Sequence, residues 1–213
     1  MTQDNDPIGN GFVASLARPG GNITGLSSLA AELSGKRLEL LKEVVPRLSR
    51  VTILGTPAAQ SYAESVKETQ LAARVLKPEL QYLDVSGPKD IEPAFRAAAK
   101  GRAESLLMLL GGPIRNTHGK KIIDLVTKSR LPAIYDGTSD VEAGGLMSYS
   151  ANTRDMARQA AKYVDKILPG ANPADLPVEQ PTKFNFVVNL KAAKAIGLSI
   201  PPNVLARADT AIR

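Results

Sequence analysis

Four apolar, strand-like runs recur down the middle of the chain at nearly one spacing, beginning at Val51, Leu80, Ser105 and Pro132, with amphipathic stretches of helix length between them. Strands alternating with helices at roughly 25 to 30 residues per unit specify a parallel sheet covered by helices, because parallel neighbours are joined only by a long right-handed crossover. The expected class is α/β, built of Rossmann-like βα units. In such sheets ligands gather at the carboxyl ends of the strands. Here those ends are Gly55-Thr56-Pro57, Asp84 to Gly87, Gly111-Gly112-Pro113 and Tyr135-Asp136-Gly137-Thr138.

Local signals fill in the elements. Strands are expected at 51–54, 80–85, 106–110, 132–135, 146–149 and 184–188. The run Leu106-Leu-Met-Leu-Leu110 lacks polar alternation and suits a central strand buried on both faces. Ser34 is placed to cap a helix whose apolar side is Leu38, Leu41 and Val45. Tyr62, Val66, Thr69, Ala73 and Leu76 recur at spacings of four and three, the mark of a helix with one face on the sheet. Asp90 caps the next helix, Asn116 or Thr117 starts one carrying Ile122, Ile123 and Val126, and Asn152 caps a helix with Asp155 three residues on. That last helix carries the apolar stripe Met156, Ala157, Ala160, Ala161, Val164, Ile167 and Leu168 and stops at Pro169-Gly170. Before the repeats, the chain reads as a turn at Asp6-Pro7, a short helix from Gly9 to Ala17, a loop, and a short strand from Ile23 to Leu26. Short helices at Lys191 to Ile196 and Val204 to Ile212 close it.

Composition narrows the chemistry. Cysteine is absent, which removes disulfides, thiolate nucleophiles and cysteine metal sites. His118 is the single histidine and lacks a neighbouring nucleophile, so a surface position is expected. Neither a Walker loop nor a G-x-S-x-G elbow occurs, and Gly20-Gly21-Asn-Ile-Thr-Gly25 precedes a strand rather than following one. No cofactor and no metal is expected. The net charge of +6 comes from scattered bases, among them Lys36-Arg37, Lys120-Lys121, Arg154 and Arg158, assigned mostly to the polar sides of helices. With aromatics at 4% and no tryptophan, a base-stacking surface is not expected, nor is nucleic-acid binding. No apolar run reaches the length of a membrane span and the amino terminus has no signal core, so the chain as written would stay in the cytosol.

The strand ends suit holding a small molecule better than transforming one. Gly55, Gly111, Gly112 and Gly137 leave backbone amides uncovered. Thr56, Ser61 and Tyr62 surround the first strand end and a helix start, where hydroxyls and free N–H groups favour an anion. Asp136 offers the opposite charge. Donors on one side and a carboxylate on the other complement a zwitterion such as an amino acid. Each residue also has a purely structural reading: Asp136-Gly137 as a turn, Ser61 as a helix cap, Tyr62 as part of the apolar stripe.

The string Asp6-Pro-Ile-Gly-Asn-Gly-Phe-Val-Ala-Ser-Leu-Ala-Arg-Pro-Gly-Gly-Asn-Ile-Thr-Gly25 resembles the substrate-binding proteins of ABC transporters, of the type related to tryptophan and tyrosine binders. The resemblance continues through Gly35-Lys-Arg-Leu-Glu-Leu-Leu-Lys-Glu43, Val141-Glu-Ala-Gly-Gly-Leu-Met-Ser-Tyr149, Tyr163-Val-Asp-Lys-Ile-Leu168, Asp175 to Phe184, Asn189 to Leu198 and Ile200-Pro-Pro202. It implies a type I periplasmic binding protein: two Rossmann-like lobes that close on a ligand, with residues 28–149 as the second lobe, 1–27 a remnant of the first, and 150–213 returning to the first lobe with the C-terminal crossover. It implies Asp136 as the partner of a ligand ammonium and a tyrosine or hydroxyl contact after the first strand, where Ser61 and Tyr62 stand; Thr56 and Gly112 at the strand ends, with Asp6, complete the expected binding set.

By that resemblance the chain is the periplasmic solute-binding component of an importer. It would take an amino acid or aromatic acid and pass it to the ABC transporter permease, without catalysis. Family members begin with a secretion signal and more of the first lobe, so this chain is expected to be incomplete there. Apolar faces left over would pack against a second copy as a homodimer. Two alternatives belong to other classes. An effector-sensing domain of a transcription regulator would need a DNA-binding headpiece, and a Rossmann-like enzyme using a nucleotide or sugar would need a phosphate loop where Gly55-Thr-Pro-Ala-Ala59 stands.

Overall fold

The computed structural model describes residues 1–2, 4–59 and 61–213. It divides into two compact units, Met1–Ala30 with Ala151–Phe184, and Ala31–Ser150 with Asn185–Arg213.

The larger unit is organised by a seven-stranded sheet: β1 (Arg50–Gly55), β2 (Glu79–Asp84), β3 (Ser105–Leu109), β4 (Ala133–Tyr135), β5 (Met147–Ala151), β6 (Phe184–Asn189) and β7 (Thr210–Ile212). Their spatial order is β2-β1-β3-β4-β5-β6-β7. β1 runs parallel to both β2 and β3, and the β3–β4, β4–β5 and β6–β7 pairs are parallel as well. The helices of this unit are α1 (Leu33–Val44), α2 (Tyr62–Leu76), α3 (Ile91–Lys100), α4 (Gly112–Ser129), α5 (Thr138–Glu142), α7 (Leu190–Ala195) and α8 (Pro202–Leu205); the smaller unit holds α6 (Thr153–Ile167).

Successive side chains of a strand point to opposite faces, and the two faces here carry separate cores. Ile53, Leu107, Ile134 and Met147 meet Leu38, Leu41 and Val44 of α1 on one face. Leu54, Leu106, Met108, Ala133 and Tyr135 meet Phe95 of α3 and Ile122, Ile123 and Val126 of α4 on the other. Every residue of β3 is buried, as a strand covered on both sides requires. At about 1.5 to 3 kcal/mol for each fully buried large apolar side chain, this double core fixes where the strand ends stand.

In the smaller unit, Asn152 Oδ1 accepts the Asp155 N–H at 2.9 Å and caps α6. Met156 and Tyr163 are buried with Leu26 and Ala151, and the Tyr163 hydroxyl donates to the Pro177 carbonyl at 2.5 Å. The buried side of α6 is narrower than the sequence stripe: Ala160 and Ile167 pack on that core, whereas Val164 is 52% and Leu168 80% exposed.

Several expectations differ from what the chain does. Within the segment 150–213, residues 151–184 lie in the smaller unit and residues 185–213 in the larger one, where β6 buries Phe186, Val187 and Val188 as a further strand of the sheet. The expected helix from Val204 to Ile212 breaks into α8 and β7. Phe186 N–H donates to Asp209 Oδ2 at 2.7 Å and Asp209 N–H to the Phe186 carbonyl at 2.9 Å, which draws the chain out as a strand. Residues 9–17 form turns rather than a helix. Asp6 Oδ1 accepts the Gly9 N–H at 2.8 Å, and Gly11 adopts φ +70°. The Ile23 to Leu26 strand is reduced to isolated bridges from Leu26 to Glu179 and from Ser27 to Asp4. α4 starts at Gly112, ahead of Asn116 and Thr117, with Pro113 supplying a φ already suited to a first turn. α1 starts at Leu33, which puts Ser34 inside the helix.

Candidate functional site

The strands β1, β3 and β4 all end on one edge of the sheet, and the order reverses between β1 and β3, since β1 leads to β2 on one side while β3 lies on the other. Such a reversal opens a crevice at the carboxyl edge of an α/β sheet. Thr56 sits there and is buried. Its N–H donates to the Leu109 carbonyl at 3.1 Å, its hydroxyl donates to the Val85 carbonyl at 3.0 Å, and the same oxygen accepts the Gly111 N–H at 3.0 Å. Thr56 therefore ties three strand ends together, and both its hydroxyl proton and the Gly111 amide are spent on that.

Tyr62 opens α2 with its ring laid over Gly55, where an added Cβ would stand 2.0 Å from Cε2. Burial, and then the neighbouring Asp84 at the end of β2, push its phenol above the ordinary range. Ser61 stands at the α2 N-cap position and is half-buried; its carbonyl accepts the Ser65 N–H at 2.9 Å. Gly112 is the first residue of α4, with open space over its α-carbon. Asp6 is exposed in the smaller unit, in the turn described above. His118 lies half-buried on α4, its Nδ1 2.6 Å from the Thr117 hydroxyl. Among the described residues, no three His, Cys, Asp or Glu side chains converge as a metal site, and no helix is long and apolar enough to cross a membrane.

Asp136 follows β4 and is half-exposed, and the structure gives it a partner that sequence reasoning missed. Arg115, in the first turn of α4, places Nη1 2.5 Å from Asp136 Oδ1 and 3.8 Å from Oδ2 of Asp140 on α5. Asp140 is buried. Burial pushes its carboxyl up to about 6, with Arg115 opposing the rise and Asp136 adding to it. Among the described residues, neither Asp140 Oδ2 nor the Tyr135 hydroxyl has a hydrogen-bond partner. They border a small cavity with Met108, Leu110, Ile122 and Asp136, leaving about 10 Å³ for the centre of a water molecule.

A second arginine approaches from α1. Arg37, assigned by the sequence to a polar helix side, is 1% exposed. Its Nε donates to the Tyr149 carbonyl at 2.8 Å and its Nη1 to the Ser34 hydroxyl at 3.3 Å. Burial lowers its pKa, while the charge of Asp136 acts the other way. A signal for Arg37 was present, because it stands four residues before Leu41 and seven before Val44, on the stripe α1 buries. Arg115 left none, because a helix expected to start at Asn116 or Thr117 puts it in a loop; the structure places it in the first turn of α4, which contains no acid and where a cation is disfavoured by the helix dipole.

A family model described as "ABC transporter substrate binding protein" matches residues 1–212. A tyrosine-binding protein of Clostridioides difficile is 22% identical over 204 residues, covering 93% of this chain and 56% of that protein. The chain thus spans little more than half the length of that curated relative. A conserved domain protein of Vibrio cholerae superposes with a TM-score of 0.86 at 29% identity, over 97% of this chain and 69% of that one. A domain from Streptococcus pneumoniae, in complex with L-Trp, gives a TM-score of 0.87 at 26% identity, over 100% of this chain and 72% of the other.

Proposed function

The chain belongs to the ABC transporter substrate-binding protein family, and from that premise we propose that it captures a free amino acid, with aromatic ones such as tyrosine and tryptophan its first candidates. The observation that carries this is Asp136: a half-exposed carboxylate at the carboxyl end of a central parallel strand, next to the crevice where the strand order reverses. An ammonium group on Asp136 would make a charge-assisted hydrogen bond worth about 1.5 to 3 kcal/mol. Open space over Gly112 leaves the start of α4 accessible to the ligand's polar end.

Tyr62 and Ser61 flank the same edge at the start of α2. Thr56 acts by holding Gly111 in place rather than by touching ligand. The printed ligands of the relatives, tyrosine for one and L-Trp for the other, support the aromatic choice. The role is carriage without catalysis, delivering the solute to an ABC permease from outside the cytoplasm.

Isothermal titration calorimetry with L-tyrosine and L-tryptophan tests this reading. Wild type should bind one of them saturably, and Asp136→Ala should weaken that binding by about tenfold to a hundredfold. Unchanged affinity in Asp136→Ala, or no binding of either amino acid by wild type, contradicts it.

A further inference from the structure

Asp136 already holds a cation, so a ligand ammonium must take it from Arg115. The surroundings of Arg115 show where the guanidinium can go. Its side chain is 32% exposed, and among the described residues its only hydrogen bond is the one to Asp136. It gains nothing from its helix, since a positive charge in a first turn faces the positive end of the dipole.

Asp140 Oδ2 lies 3.8 Å from the same Nη1, too far for a hydrogen bond and near enough to be reached by a small swing. That oxygen is buried and has no hydrogen-bond donor among the described residues, an arrangement that is costly when left unmet. Gly137 lies between the two carboxylates. A Cβ there would stand 3.1 Å from Asp140 Oδ2 and 3.3 Å from Arg115 Nη1, so the missing side chain leaves the path between them open.

We propose that Arg115 is a displaceable counter-ion with two seats, Asp136 at rest and Asp140 when a ligand ammonium occupies Asp136. This rests on the reading of Asp136 as the ammonium site and adds the residues that set its affinity. One charge-assisted hydrogen bond, Arg115 to Asp136, is exchanged for two, ammonium to Asp136 and Arg115 to Asp140, so the charge brought by the ligand's ammonium is met without leaving the guanidinium unbonded.

The exchange makes binding depend on pH. The groups facing Asp140 are Arg115 from α4, Asp136 and Tyr135 from β4 and its following turn, and, acting on Asp136 and Arg115, Arg37 from α1. Protonated, Asp140 is a poor second seat, so affinity falls as pH drops through about 6. Seating Arg115 there favours the carboxylate, so binding near that pH releases a proton from Asp140 to the buffer.

Calorimetric titration of the full chain with L-tyrosine and with L-tryptophan, at about pH 5.5 and about pH 7.5 in buffers of different ionisation enthalpy, tests this. Wild type should bind about threefold to fourfold more weakly at the lower pH and release protons. Asp140→Asn should bind about tenfold more weakly than wild type at the higher pH and lose both the pH dependence and the proton release. Arg115→Ala should bind at least as tightly as wild type, with the pH dependence gone.

Circular dichroism of both variants separates misfolding from altered binding. Retained pH dependence in Asp140→Asn overturns the proposal, as does loss of binding in a folded Arg115→Ala, which would make Arg115 a ligand contact. A wild-type chain that binds no amino acid overturns the ligand reading and this exchange with it. Binding by wild type with both variants indistinguishable from it overturns the exchange alone.

Discussion

Two helices of this protein start in opposite ways. α6 opens with Asn152 accepting the Asp155 N–H and an acid in its first turn, the arrangement that satisfies free amides and suits the helix dipole. α4 opens with glycines and a proline, makes no side-chain cap, and carries Arg115 where an acid would be favourable. Its N-cap residue Gly111 is held instead by the hydroxyl of Thr56, on the neighbouring strand end. The start of α6 is built for local stability. That of α4 forgoes such stability, leaving an open glycine and a cation beside two carboxylates, the kind of local inconsistency that gathers at binding sites.

The sharpest way to break this contrast is to remove the hydroxyl that α4 borrows. Thr56→Val leaves the Val85 carbonyl and the Gly111 amide without their partner and should cost about 2 to 3 kcal/mol in urea unfolding. Next comes Asp140→Asn. A carboxyl raised to about 6 by burial supports folding fully below its unfolded value near 4, and that support is lost as pH rises through about 6. The variant should therefore be more stable than wild type by about 1 to 2 kcal/mol at neutral pH, with the gain vanishing in acid. Thermal melts across that range check the sign. A stability gain paired with the weaker binding expected of the same variant would separate function from folding at one residue.

Asn152→Ala deletes the cap of α6 and should lower stability by about 1 kcal/mol, read by hydrogen exchange over the first turn of that helix. The smallest effect is expected for Arg115→Ala. Its pair with Asp136 is partly exposed and its position in the helix is unfavourable, so the two contributions should cancel to within about 1 kcal/mol in denaturant unfolding. A large loss there would make the ion pair a structural lock and remove the contrast between the two helices.

The order of strands and helices in the repeats was legible because buried parallel strands and half-buried helices leave strong periodic patterns, as in Leu106 to Leu110 or Tyr62 to Leu76. In the C-terminal segment β6 and α7 were legible as well, but β7 was not, since drawing it out depends on pairing between Phe186 and Asp209, invisible to a local window. At the candidate site, the strand-end rule placed Asp136 and the glycines at the carboxyl edge of the sheet, where the structure has them. It could not supply Arg115. With α4 read as starting at Asn116 or Thr117, Arg115 fell in a loop, and its partner lies 21 residues away on another strand end. Thr56 shows the converse: a hydroxyl at a strand end looks available in sequence, and only the third dimension shows that Val85 and Gly111 have claimed it.

The central claim, that Asp136 receives the ligand and Arg115 gives way to it, is tested most directly by carboxyl-carbon NMR of the aspartates during titration with L-tyrosine. The account predicts that the Asp136 resonance moves on saturation and that Asp140, titrating near 6 in the free protein, shifts to lower pH as Arg115 comes to it. Saturable binding of L-tyrosine with both resonances unmoved would contradict it.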